Sequence, residues 1–280
     1  MEFLLKQISS LPAYHMLLEG VKAGRHIPGL ALPRSARLPV LAALYSDLNQ
    51  PVVLLTDRPD HALQLHDELA FWIPDGSRHL FSEPNPLFYE NASWGSTTRR
   101  ERLQTLSTLS TFHLPKVEKP SPPPVIITTI RALMTRTLPR RDFLKACKLL
   151  STGRSAAPGS LVDNWVSIGY LPADTVLEPG QFSLRGGLLD VWPQSEQSPI
   201  RIEFFGDEID TLRRFDPASQ RTIQVLESFL ITPAREYILT GDRDETGGES
   251  SSKNSELSDR VSEFHIPLLH QFTSSLLDYL

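Results

Sequence analysis

Residues 181–193 read QFSLRGGLLDVWP, and residues 199–217 continue as PIRIEFFGDEIDTLRRFDP. Apolar and polar side chains alternate in both runs with a period near two, and Val, Ile and Phe recur. Turn residues stand at Pro179-Gly180 and Gly206-Asp207, so the pattern predicts a small antiparallel sheet. Arg185 sits beside a Gly-Gly pair, Trp192 closes its run, and Arg201, Arg213 and Arg214 are interleaved with carboxylates. Guanidinium forks and an indole on a rigid sheet suit recognition of another macromolecule. A solvated face whose ion pairs each contribute little explains the same residues.

The chain around this stretch has 280 residues, enough for two domains and a sizeable core. Its formal net charge of −5, with 22% charged and 40% hydrophobic residues, gives no bulk attraction to phosphate backbones. Contact with DNA would need a local patch. One cysteine, Cys147, excludes an internal disulfide framework and a multi-cysteine metal site, and it reads as a small hydrophobe in a reducing cytosol. The opening residues MEFLLKQISSLPAYHMLLEG contain neither a signal peptide nor a spanning run, so the expectation is a soluble, cytoplasmic protein with no membrane partner.

Helices are expected over Leu11–Gly20 and Ala36–Leu48, the second capped by Ser35. PVVLLT (51–56) is a short apolar run that reads as a strand, RHLF (78–81) reads as another short strand and VIITT (125–129) as a third, buried one, separated by helical patterns at Pro59–Trp72 and Thr98–Phe112. Asn85–Asn91 reads as a loop and Lys116–Pro124 as an exposed proline-rich segment; Ile130–Thr137 reads as a short helix stopped by Pro139. Alternating strands and helices imply an α/β domain built on a parallel sheet. Past Pro139 the texture changes. A basic segment runs into KACKLL, Leu161–Ile168 reads as helix, and Val176–Thr232 is strand and turn, an α+β unit with an antiparallel sheet. Gly241–Arg260 is too polar to fold and reads as a linker; Val261–Leu280 carries Phe264, Leu268, Leu269, Phe272, Leu276 and Leu277 at helical spacing. That apolar face is still running at Leu280, which suggests the front part of a longer protein.

Catalytic signals are weak. A phosphate-cradling loop needs glycines, a lysine and a hydroxyl at a helix start. The segment before the Ala36 helix offers Gly29, Arg34, Ser35 and Arg37, but Pro33 removes an N–H, no lysine is present, and Leu38 stands where the metal-binding hydroxyl would be. His61 and His66 lack metal-ligand spacing, Asp207, Glu208 and Asp210 read as a solvated turn, and Ser93 and Ser183 have no identifiable triad partners. Two arginine groups, Arg99-Arg100-Arg102 and Arg131-Arg136-Arg140-Arg141, could grip phosphates in a salt-sensitive way.

The runs FSLRGGLLDVWP, PIRIEFFGDEIDTLRRFDPASQRT and ITPAREY together resemble the family of the excision-repair protein UvrB and, more closely, the amino-terminal UvrB-homology module of the bacterial transcription-repair coupling factor (Mfd). The likeness extends to SARLPVLAALYSDL, VVLLTDRPDHALQLHDEL, VIITTIRALMTRTLP and EFHIPLLHQFTSSLLDYL. It implies a degenerate RecA/helicase-like parallel-sheet domain at 1–139, a smaller UvrB domain 2-like α+β domain at 140–235, a flexible linker at 236–260 and the start of a return segment at 261–280. It further implies that the smaller domain binds UvrA, with Arg185 at the family arginine of the RGG segment and Trp192 at the family aromatic before proline, joined by Phe182 and Arg201. UvrB carries an intact phosphate loop and a long DNA-gripping hairpin. This chain has a degenerate loop and only a short stretch between Tyr89 and Arg99. The resemblance thus implies no cofactor for this chain; ATP and Mg would serve the motor of a longer parent, a DNA translocase that meets RNA polymerase and DNA through other regions. The alternative is a part of an ATP-dependent translocase or a UvrB-like damage-recognition protein that binds DNA directly.

Overall fold

The computed structural model describes residues 2–85, 94–238 and 262–280. Contacts divide the chain into two compact units, residues 1–83 with 119–132 and residues 84–118 with 133–280. The expected loop beyond Asn85, the position of Ser93 and the expected linker Gly241–Arg260 lie outside the described residues.

In the first unit, helices α1 (Glu2–Ser9), α2 (Pro12–Lys22) and α3 (Arg34–Leu48) precede strand β1 (Val52–Thr56), helix α4 (Pro59–Leu69), and strands β2 (Arg78–Phe81) and β3 (Val125–Thr129). The strands form a parallel sheet in the order β1-β3-β2. All five residues of VIITT are buried, as a central parallel strand requires. Val125 and Ile127 pack with Tyr45, Leu69 and Ile73 from the flanking segments, and the Tyr45 hydroxyl donates to the Pro123 carbonyl at 2.5 Å. Helix α3 begins at Arg34 behind an extended Pro33 that makes no side-chain capping bond, so Ser35 lies inside the first turn and is not the cap. Asn49 in the left-handed region ends it, a conformation asparagine tolerates.

The second unit contains helix α5 (Ser96–Ser110), placed with the first domain by sequence but grouped here with the antiparallel unit. Leu103, Leu106 and Leu109 are all buried, as their spacing predicts. Helix α7 (Arg140–Ala146) follows α6 (Ile130–Met134), and the basic segment then forms strand β4 (Lys148–Ser151), which the sequence reading missed. After helix α8 (Pro158–Ser167) come β5 (Leu171–Pro172), β6 (Gln181–Arg185), β7 (Leu188–Val191), β8 (Ile200–Phe205), β9 (Glu208–Phe215), β10 (Thr222–Leu226) and β11 (Ser228–Ile231). Strands β10 to β5 form a six-stranded sheet in the order β10-β9-β8-β7-β6-β5, and β11 pairs antiparallel with β4. Gly186 (φ +60°) and Gly206 (φ +64°) turn the β6–β7 and β8–β9 hairpins in a region that disfavours other residues. One face of the sheet packs Phe182, Leu189, Ile202 and Leu212 with Leu161 and Trp165 of α8.

Of residues 261–280, expected as one apolar helix, the described ones, 262–280, form a 3-10 turn (Glu263–His265), a four-residue helix α9 (Ile266–Leu269) and a second 3-10 turn (Leu276–Tyr279). Pro267 and the Ser275 cap break the period. Ile266, Leu276 and Tyr279 are buried, while Leu268 and Phe272 are exposed.

Candidate functional site

The antiparallel register brings Ser183, Asp190, Arg201, Arg213 and Val225 into one row across β6 to β10, with Arg185, Leu188, Glu203 and Thr211 in the neighbouring row on the same face. This face lies opposite the one that packs on α8. Asp190 organises it. Its side chain is 2% exposed, and its oxygens accept Nε and Nη2 of Arg201 at 2.7 and 2.8 Å and Nη2 of Arg185 at 3.0 Å. Arg201 also donates to Gln220 at 2.8 Å and lies over the Phe215 ring, 4.4 Å from its centre. Hydrogen bonding to Asp190 raises the Arg201 guanidinium above its ordinary value. Beside this group Arg213 binds Glu203, and the Thr211 hydroxyl donates to the same carboxylate at 2.8 Å.

Three arginines thus meet two carboxylates. Arg201 is spent on a bidentate bond within the sheet, at 19% side-chain exposure. Arg185 is half exposed at 49% and engages one N–H, so the rest of its fork faces solvent. Val225, next to Arg213 on the edge strand, is exposed as well. The arrangement offers a guanidinium held in place from below by a desolvated carboxylate, beside apolar surface. Such a group is suited to bond a carboxylate on a partner.

The other residues read from sequence as contacts behave differently. Phe182 is in the core, where its ring meets Trp165 edge-on at 6.0 Å, because strand alternation sends it to the face opposite Arg185. Trp192 is 9% exposed and its indole Nε1 donates to the Glu196 carbonyl at 3.1 Å. Neither side chain presents a surface. Asp190 escaped the sequence reading, although a lone carboxylate inside LLDVW, in register with Arg201, was a signal available to it.

Near α3, Arg34 and Ser35 line a cavity of about 590 Å3 with Leu38, Phe71 and Trp72, whereas Gly29 and Arg37 are exposed and lie apart from that wall. The segment holding Gly29 follows no strand among the described residues, whereas nucleotide loops spring from strand ends. Cys147 is half-buried, and desolvation pushes its thiol up to about 12. Among the described residues no group of His, Cys, Asp and Glu is arranged to hold a metal ion, and no helix is long and apolar enough to cross a membrane.

The arginines expected to grip phosphates are dispersed to other tasks. Arg102 is fully buried and forms a bidentate pair with the fully buried Glu236, at 2.6 and 2.9 Å, with its guanidinium 4.7 Å from the Trp94 ring centre. Arg99 binds Glu263 at 2.7 Å. Arg100 remains, with one long bond of 3.4 Å to the Glu196 carbonyl.

Residues 149–237 match the family described as UvrB interaction domain, a span that contains the whole arginine face. The chain is 32% identical over 228 residues to the transcription-repair-coupling factor of Bacillus subtilis, covering 81% of this chain and 18% of the relative. It is 31% identical over 266 residues to that of Myxococcus xanthus, covering 92% and 21%. UvrABC system protein B of Gloeothece citriformis is 29% identical over 234 residues, covering 80% of this chain and 34% of the relative. The chain spans about a fifth of the length of the coupling factors it matches.

Proposed function

Because residues 149–237 match the UvrB interaction domain, we propose that this chain is a protein-binding module that captures UvrA on the outer face of its six-stranded sheet. The observation that carries the reading is Arg185, half exposed yet anchored on the buried Asp190, in a lattice whose other arginines are already committed. An anchored guanidinium loses little freedom when it meets a partner carboxylate. Arg201 and Asp190 position Arg185, and Trp192 and Phe182 support the sheet from within. As part of a coupling factor, the module would bring UvrA to RNA polymerase stalled at a lesion, in the cytoplasm. Contacts with RNA polymerase and DNA, and an ATP-driven, Mg-dependent motor, would belong to other regions of the longer protein.

In this reading the chain itself hydrolyses no ATP. The segment of Gly29, Arg34, Ser35 and Arg37 has neither the glycines nor the lysine that hold a triphosphate. Calorimetry with MgATP is expected to give no micromolar binding; saturable heat at that concentration would overturn this part. The capture itself is tested with immobilised chain and purified UvrA, comparing wild type with Arg185→Ala.

A further inference from the structure

A cavity of about 970 Å3 in the second unit, away from the outer-face arginines, is walled by the first turns of α5 and by the segment after β11. Three half-buried arginines line it, Arg99, Arg100 and Arg235. In the wall Arg99 pairs with a carboxylate, as Arg102, Arg185, Arg201, Arg213 and Arg214 do elsewhere in the second unit. Arg100 and Arg235 pair with none among the described residues. The single bond of Arg100 goes to a carbonyl at 3.4 Å, and that of Arg235 to the Tyr237 hydroxyl at 3.4 Å.

Arg235 is held in an unusual way. Its guanidinium lies 4.6 Å from the Tyr237 ring centre, and its side chain packs so close over Gly169 that a Cβ there would come within 2.6 Å of Arg235 Cγ. Its Nε is buried, with no acceptor among the described residues. The wall also carries carboxylates. Arg99 neutralises Glu263, Glu101 has a partner of its own, and Glu178 is exposed at the rim. Arg100 and Arg235 are thus the arginines of the wall without a carboxylate partner among the described residues, and the cavity falls in the size range of small-molecule sites, roughly 300 to 1,000 Å3.

We propose that this cavity binds a multiply charged oxyanion of the phosphate type, with Arg100 and Arg235 as the groups that hold it. Planar guanidinium forks match such an anion with paired N–H bonds. The phosphate would come either from a free phosphorylated molecule or from a nucleic acid strand.

Pyrophosphate titrated into the 280-residue chain, followed by thermal melting and calorimetry against sodium chloride of equal ionic strength, tests the assignment. Saturable stabilisation by pyrophosphate is expected. Arg235→Gln and Arg100→Gln are each expected to raise the half-saturating concentration at least fivefold, while Arg221→Gln, at an exposed arginine outside the wall, leaves it unchanged. Circular dichroism of each variant separates loss of binding from loss of fold, and Arg100→Gln keeps the test decisive if Arg235→Gln unfolds. A 12-nucleotide single strand in a parallel arm identifies the source: saturation at lower phosphate concentration than pyrophosphate marks a strand, and the reverse order marks a free phosphate. A response equal to that of sodium chloride, or unchanged in folded Arg100→Gln, would overturn the proposal.

Discussion

Arg102 and Arg185 both reach carboxylates that water hardly touches, yet the two regions around them work in opposite ways. Arg102 and Glu236 are each 0% exposed and satisfy one another in a bidentate pair, so nothing of either is left for a partner. Arg185 stands at 49% exposure over Asp190 and shares that carboxylate with Arg201. In the first region the charge joins α5 to the segment after β11, a structural task within the second unit. In the second, a buried carboxylate fixes the root of an arginine whose outer N–H groups remain open. Burial of the arginine, rather than of its partner, separates a bond that holds the fold from one that can recognise.

Substitutions that remove one partner at a time sharpen this contrast. Glu236→Ala strands a fully buried guanidinium and is expected to destabilise the second unit by about 3–5 kcal/mol, read from urea unfolding monitored by tryptophan fluorescence. Acid provides a second axis, through a group in the first unit. Burial holds His79 down at about 4, below its unfolded value of 6.5. The unfolded chain therefore takes up the proton first, and stability that is complete above pH 6.5 is lost as pH falls toward 4, by about 3 kcal/mol. His79→Gln should flatten that part of the stability profile, leaving the ion-pair contributions in view. Asp190→Ala removes the acceptor of both Arg185 and Arg201 and is expected to cost about 1–3 kcal/mol, less than the fully buried pair because Arg185 regains water. Arg185→Ala should shift stability by no more than about 0.5 kcal/mol. A cost for Arg185→Ala comparable to that of Glu236→Ala would break the distinction between the two regions.

Strands β2 and β3 were legible to the residue, β3 because a short run led by apolar β-branched residues leaves little choice. The alternation in 181–217 likewise gave the antiparallel sheet, and Gly206-Asp207 placed the β8–β9 hairpin, whereas the Gly186 turn between β6 and β7 was seen only in the structure. Period-two alternation also separates Phe182 from Arg185, which stand an odd number of positions apart on one strand and so face opposite ways; grouping them as one contact set ignored that signal. Trp192 lies just beyond the end of β7, where alternation no longer dictates direction, and its burial depends on Glu196 and the turn after it. Arg102 could not be distinguished from Arg99 and Arg100 by sequence, because Glu236 is 134 residues away and only the fold brings it within reach. The terminal segment misled for a local reason: Pro267 and Ser275 interrupt a helical apolar spacing whose side chains then divide between core and solvent.

The sheet-face assignment is tested most directly by the affinity of purified UvrA for this chain, measured by surface plasmon resonance at fixed salt, with wild type against Arg185→Ala. Loss of the anchored guanidinium is expected to weaken binding about thirtyfold or more, corresponding to about 2 kcal/mol or above, with unfolding stability essentially unchanged. Equal affinity of the two proteins, both folded, would contradict it.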